Sequence, residues 1–217
     1  MNKTTLLSCA LFLCTILSYS APKIPLKDSN IRSAVDLWIT HESQATITYG
    51  HISDWDVSSV TNMSMLFSFA SSFNVDISSW NVSNVTNMSG MFYEASSFNG
   101  DISSWNVSSV INMSSMFSDA ASFNGDISSW DVSSVKDMFS MFSRASRFNA
   151  DINSWDVSKV TDMTLMFFRA SAFNVDISSW DISNVMNMAD MFNEASSFDR
   201  DLSSWNVASE STTTHTA

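Results

Sequence analysis

Cysteine occurs twice in the 217 residues, at Cys9 and Cys14. Both lie in the opening "MNKTTLLSCALFLCTILSYSA", so no disulfide is expected to hold the rest together. Glycine and proline are nearly as scarce, at four and two residues. That is too few turn formers for an ordinary β-sandwich, while 45% apolar content is too much for a disordered chain. Basic residues are missing from a long tract, with no Lys or Arg between Arg32 and Lys136. The formal net charge of −12 makes phosphate backbones and anionic membranes poor partners, so no nucleic acid is expected to bind. Histidine is limited to His41, His51 and His215, and nothing in the sequence orients one as the base of a serine triad. No catalytic residue, cofactor or metal site is assigned, and no enzymatic activity is expected.

The first residues carry one lysine, an apolar run from Leu6 to Leu17, and small residues at Ser18 and Ser20. This is the pattern of a secretory signal peptide over 1–20, and its apolar run falls short of the about 20 residues a membrane span needs. No second such run follows, so stable membrane insertion is not expected. The expected location is secreted, extracellular or at a cell surface.

What the chain has in abundance is repetition. Tryptophan recurs every 25 residues at positions 55, 80, 105, 130, 155, 180 and 205. Phenylalanine does the same from Phe67 to Phe192 and from Phe73 to Phe198, methionine from Met63 to Met188, and alanine from Ala70 to Ala195. A fixed period of this length signals stacked units, none of which buries its apolar face alone. In "MFYEASSF", Met91, Phe92, Ala95 and Phe98 fall at i, i+1, i+4 and i+7, which predicts a short helix with Ser89 as N-cap. In "DISSWNVSSV", Ile102, Trp105, Val107 and Val110 suit short strands, with a bend where the step becomes three. The expected architecture is an α/β repeat: a right-handed leucine-rich-repeat-like solenoid of about six 25-residue coils, each with short strand(s) and a short helix. Residues 21–54 are read as an N-terminal helical cap, with Ile31, Ala34, Val35 and Trp38 at helical spacing and His51 in the register of an aspartate column. The repeats then run over 55–207, and 208–217 form a polar, disordered tail that leaves the last coil open to end-to-end self-association.

The recurring "MFxxASxFNxDISSWDVSxVTxM" resembles the BspA-like leucine-rich-repeat surface proteins, and more narrowly the 25-residue repeat domain found in mycoplasma surface lipoproteins. The resemblance covers about Ile31 to Val207. It implies a leucine-rich-repeat-like right-handed solenoid on secreted or surface proteins, with adhesion the role suspected for some members. It implies no ligand and no catalytic residue.

Three Asx columns, beginning at Asp76, Asp56 and Asn62, are read as side chains bonding loop backbone in coil after coil. A carboxylate pair that recurs five times along a chain argues for structure rather than for a glycosidase site. Calcium is the alternative ligand of the aspartate rows, giving a calcium-stabilised solenoid. Of the sequons beginning at Asn62, Asn81, Asn84, Asn87, Asn106 and Asn112, Asn84 lies in a freely varying column and is the candidate glycosylation site. Variation also marks a candidate ligand-binding patch. Tyr93, Phe139, Leu165 and Phe168 are bulky where other repeats are small or polar, and Arg144 and Arg169 stand among them. The expected function is extracellular recognition or adhesion, with a protein or glycan bound on an extended face. The alternative is a passive structural or spacer protein that assembles end to end.

Overall fold

The computed structural model describes residues 24–205, so the readings of 1–20 as signal peptide and 208–217 as tail lie outside the described residues. Helix α1 spans Ile31–Thr40 and buries Ile31, Ala34, Val35 and Trp38, the stripe its spacing predicts. Helix α2 spans Glu42–Tyr49 and ends at Gly50, whose φ of 87° lies where only glycine is unstrained. A single 3-10 turn, Ile52–Asp54, leads into the repeats.

Beyond that turn the described residues contain neither helix nor strand, which overturns the expected α/β leucine-rich-repeat solenoid. Each coil is instead a succession of tight turns. In one repeat the N–H groups of Trp105, Val110, Met116, Ala120 and Phe123 each donate to the carbonyl three residues back, at 2.9–3.1 Å. Apolar residues therefore recur at steps of three because they sit at the two ends of turns. Chained turns reproduce the i, i+4, i+7 spacing of a helix face, and that is why the pattern misleads.

Backbone geometry excludes the expected helix outright. Gly90 and Glu94 have φ of 60° and 56°, and the equivalent pair in every other coil is likewise left-handed. The N–H groups of Met88, Gly90, Phe92 and Glu94, which a helix would use internally, donate to Asn112, Ser114, Met116 and Ser118 of the next coil at 2.8–2.9 Å. Ser89 caps nothing helical; its N–H donates to the Asn87 side chain at 2.9 Å. The carbonyls of Asn87, Ser89, Met91 and Tyr93 meanwhile accept from Met63, Met65, Phe67 and Phe69 of the coil before. In this segment every backbone bond between coils runs from an N–H to a carbonyl of the next coil, so the inter-coil donors point toward the C-terminal end and the inter-coil acceptors toward the N-terminal end. A parallel strand would exchange both kinds of bond with each neighbour. Only isolated parallel bridges result, running from Asn62 through Asn87, Asn112, Asp137 and Asp162 to Asn187.

The core is a set of aromatic columns along the stack. Phe67, Phe92, Phe117, Phe142, Phe167 and Phe192 stack at 5.5–5.8 Å, and within a coil each lies on its partner from the second phenylalanine column at 3.8–4.1 Å. Each tryptophan from Trp80 onward donates its indole N–H to an isoleucine carbonyl of the preceding coil, as Trp105 does to Ile77 at 3.2 Å. A strip of asparagines is threaded the same way: the N–H groups of Asn99, Asn124, Asn149 and Asn174 bond the side-chain oxygen one coil back at 2.7–2.8 Å.

At the N-terminal edge two side chains stand in for the coil that would precede the first. The Asp28 carboxylate accepts from the N–H groups of Thr61 and Asn62, and Arg32 donates to the Ser64 carbonyl at 2.6 Å. Just ahead of that segment the N–H groups face the coil before, as Thr86 donates to the Thr61 carbonyl at 2.8 Å, so an acid meets the spare donors of Thr61 and Asn62 and a base the spare acceptor of Ser64. At the other end, the N–H groups of Met188, Asp190, Phe192 and Glu194 have no acceptor among the described residues. No helix among the described residues is long and apolar enough to cross a membrane.

Candidate functional site

One surface of the stack repeats almost without variation. Asp76, Asp101, Asp126, Asp151, Asp176 and Asp201 each accept the N–H two residues on, at 2.9–3.0 Å, and the columns from Asp56 and Asn62 bond in the same way. His51 takes this role ahead of the first aspartate, accepting the Ser53 N–H at 3.3 Å. Bonds from the serine N–H hold the carboxyls of Asp76, Asp101, Asp126, Asp176 and Asp201 below their ordinary range. No group of three or more His, Cys, Asp or Glu among the described residues converges as a metal site would. Asn84 is exposed, but its amide nitrogen donates to the Ser58 carbonyl at 2.8 Å, so a glycan there would compete with a bond between coils.

The surface carrying the left-handed residues is different, and there a groove of about 380 Å³ opens. Its origin lies in one column that reads Ser68, Tyr93, Ser118, Ser143, Phe168, Asn193. Two small residues sit between two large rings, so the surface dips over Ser118 and Ser143. Tyr93 and Phe168 close the ends, and Phe139 and Leu165 from other columns add apolar walls. Three inter-coil steps of ~4.7–4.9 Å put the end rings roughly 15 Å apart.

Five of the six residues expected from the sequence as a ligand patch, Tyr93, Phe139, Arg144, Leu165 and Phe168, line this one groove. Arg169 does not line it. Its guanidinium packs 4.9 Å from the centre of the Phe168 ring and is held by the Glu194 carboxylate through two bonds of 2.7 and 2.8 Å. Arg144 stacks on the same ring at 5.7 Å, but among the described residues its ionic partner is Asp119 at 3.9 Å and none of its guanidinium nitrogens makes a hydrogen bond. Burial raises the Asp119 carboxyl above its ordinary value, against the pull of Arg144. The Glu94 carboxylate, as acceptor for the Tyr93 hydroxyl, raises that phenol in turn.

The groove also holds residues that the sequence reading missed. Ser118, Ser140 and Ser143 are the buried polar side chains among the described residues, 5–7% exposed, and all three line it. Ser118 reaches Asp119 at a marginal 3.5 Å, and the hydroxyls of Ser140 and Ser143 have no partner among the described residues. The large–small–small–large order of the column is the signal that could have found them. A larger hollow of about 560 Å³, lined by Lys136, Lys159, Thr161 and Met186 among others, contains no buried polar side chain and no aromatic ring.

No curated protein and no solved structure matches the chain. A family described as "Mycoplasma protein of unknown function, DUF285" matches residues 36–150 and again 124–216. Those two overlapping matches take in all the complete repeats, and the chain belongs to that family.

Proposed function

We propose that the chain is a non-catalytic recognition protein, secreted or displayed at a cell surface, that binds an extracellular protein or glycan through the varied face of its stacked coils. The observation that supports this most is the groove itself. Five of the six residues that mark the patch by breaking the repeat come together around a single depression, whereas the residues that obey the repeat form core or make turn bonds. The resemblance to BspA-like surface proteins, with adhesion the role suspected for some members, supports the same reading.

The test is an array of surface glycans and matrix proteins probed with the purified protein and with a Tyr93→Ala/Arg144→Ala/Phe168→Ala variant. A hit that the variant loses at unchanged melting temperature is the expected result. A hit that the variant keeps would move the site off this face, and a blank array with both would count against recognition.

The alternative, a spacer that assembles end to end, is favoured by the four N–H groups of the last coil without acceptors among the described residues. Ladder polarity restricts it. Two such edges facing each other would oppose donor to donor, and at the first coil Asp28 and Arg32 already occupy groups a neighbour would need. Sedimentation velocity over a concentration series decides: a rising mass supports assembly, and a constant monomer mass rejects it.

A further inference from the structure

We infer that the groove between Tyr93 and Phe168 is a binding site for a carboxylated sugar, one or two rings long, with Arg144 taking the carboxylate and Ser140 and Ser143 taking ring hydroxyls. This rests on the recognition reading above and adds the ligand's chemical class.

Four features of the groove carry it. The first is the pair of unpartnered hydroxyls. Ser140 and Ser143 are more than nine-tenths buried and line the groove, and their hydroxyls bond nothing among the described residues, although buried polar groups are as a rule satisfied. A serine hydroxyl both donates and accepts, which is the complement of another hydroxyl. Second, the Arg144 donor fork makes no hydrogen bond among the described residues and has only the 3.9 Å ion pair to Asp119, unlike that of Arg169, which is occupied by Glu194. An unfilled guanidinium at the wall of a groove suits the two oxygens of a carboxylate. Third, the walls are rings. Their negative faces complement the weakly positive C–H faces of a sugar. Fourth, the size of about 380 Å³ is at the low end for small-ligand sites, and a large ring stands at each end of the groove.

An extended acidic peptide fits less well. It would have to run past Tyr93 or Phe168, and it would find little main chain to pair with. The backbone under the groove is already bonded between coils, Asp119 N–H to the Ser143 carbonyl at 2.8 Å and Arg144 N–H to the Phe168 carbonyl at 2.6 Å. Nor does any other repeat offer the same set. Ser68 is followed by Tyr93 and Phe168 by Asn193, so the dip over two serines occurs once.

The experiment is calorimetric titration of the whole protein with hyaluronan tetrasaccharide, which carries glucuronate without sulfate, and with its carboxyl-reduced, neutral counterpart. An acidic peptide of similar length with a central phenylalanine is the third probe. The expected result is saturable binding of the tetrasaccharide, weakened about tenfold or more by carboxyl reduction and by Arg144→Gln. A Ser140→Ala/Ser143→Ala variant should weaken it about tenfold while its own melting temperature stays level or rises, because hydroxyls without partners do not hold the fold. A merely structural pair of serines would lower the melting temperature instead.

Equal binding of the acidic and neutral sugars, full affinity in the serine variant, or no sugar binding at all would each overturn the inference. If the peptide binds and the sugar does not, or if the array gives hits lost in the triple variant while the tetrasaccharide fails, the ligand class is wrong and the recognition reading stands. A blank array would sink both.

Discussion

Two surfaces of the same coil follow opposite rules. On the Asx–Ser surface the residue type hardly changes, because each side chain closes a turn and neighbouring coils must present the same geometry to stack. On the surface of the left-handed residues, Met65, Gly90, Ser115, Ser140, Leu165 and Asp190 occupy one backbone position with five residue types. That φ costs roughly 1–2 kcal/mol for a non-glycine residue, yet a non-glycine residue pays it in five of the six coils. The ladder requires the backbone conformation and leaves the side chain free. Gly90 is an exception with a local cause: a Cβ there would collide with the Met65 sulfur folded over it from the preceding coil. The lesson is that in this protein uniformity marks stability and variety marks the surface available for binding.

The contrast can be sharpened by substitution, beginning with the largest effect. Phe142→Ala removes a ring from the middle of a buried column and should cost about 3–5 kcal/mol in denaturant unfolding, whereas Phe168→Ala on the varied surface should stay within about 1 kcal/mol. A similar loss at both would erase the distinction between the faces. Asp28→Ala unpairs the first coil's spare N–H groups and should cost about 1–2 kcal/mol, with amide exchange rising first at Thr61 and Asn62.

Acid should weaken the uniform face selectively. The carboxyls of Asp76, Asp101, Asp126, Asp176 and Asp201 titrate below their ordinary value of 3.8 in the folded chain. Their contribution is therefore fully present above about pH 4 and is lost as pH falls through the lower folded-state values. Asp119 in the groove has the opposite sign: its carboxyl is raised, so ionisation opposes folding and its share of stability grows as pH falls. A melting temperature that climbs on acidification from pH 5 to 3 would contradict this balance. The smallest effect is expected from Asp190→Gly, which relieves a φ of 55° and should stabilise by up to about 1 kcal/mol.

Much of the arrangement was legible in the sequence because it rests on identity at a fixed spacing. The period named the core columns, the stripe Ile31, Ala34, Val35 and Trp38 named α1, and the register placed His51 among the aspartates. Local structure was not legible. A chain of tight turns and an amphipathic helix put apolar residues at the same intervals, and left-handed backbone at Glu94, Asp119, Arg144 and Arg169 has no residue signature when glycine is absent. The patch could be read because its members are large where their columns are small. Its floor was harder to see, since Ser118 and Ser143 differ from Ser68 only in having a ring on both sides along their column. The asparagine strip from Asn74 escaped notice as well, although its period was in plain view.

The central claim is that binding and stability reside on different faces, and one paired measurement tests it directly. Two variants would be compared with the unmodified protein for melting temperature and for array binding: Asp101→Asn/Asp126→Asn/Asp151→Asn on the uniform face, and Tyr93→Ala/Arg144→Ala/Phe168→Ala on the varied one. The expected result is a double dissociation, in which the first loses melting temperature and keeps its ligand while the second loses its ligand and keeps its melting temperature. Loss of binding in the aspartate variant with the groove variant unaffected would contradict the claim and return the recognition surface to the repeated face.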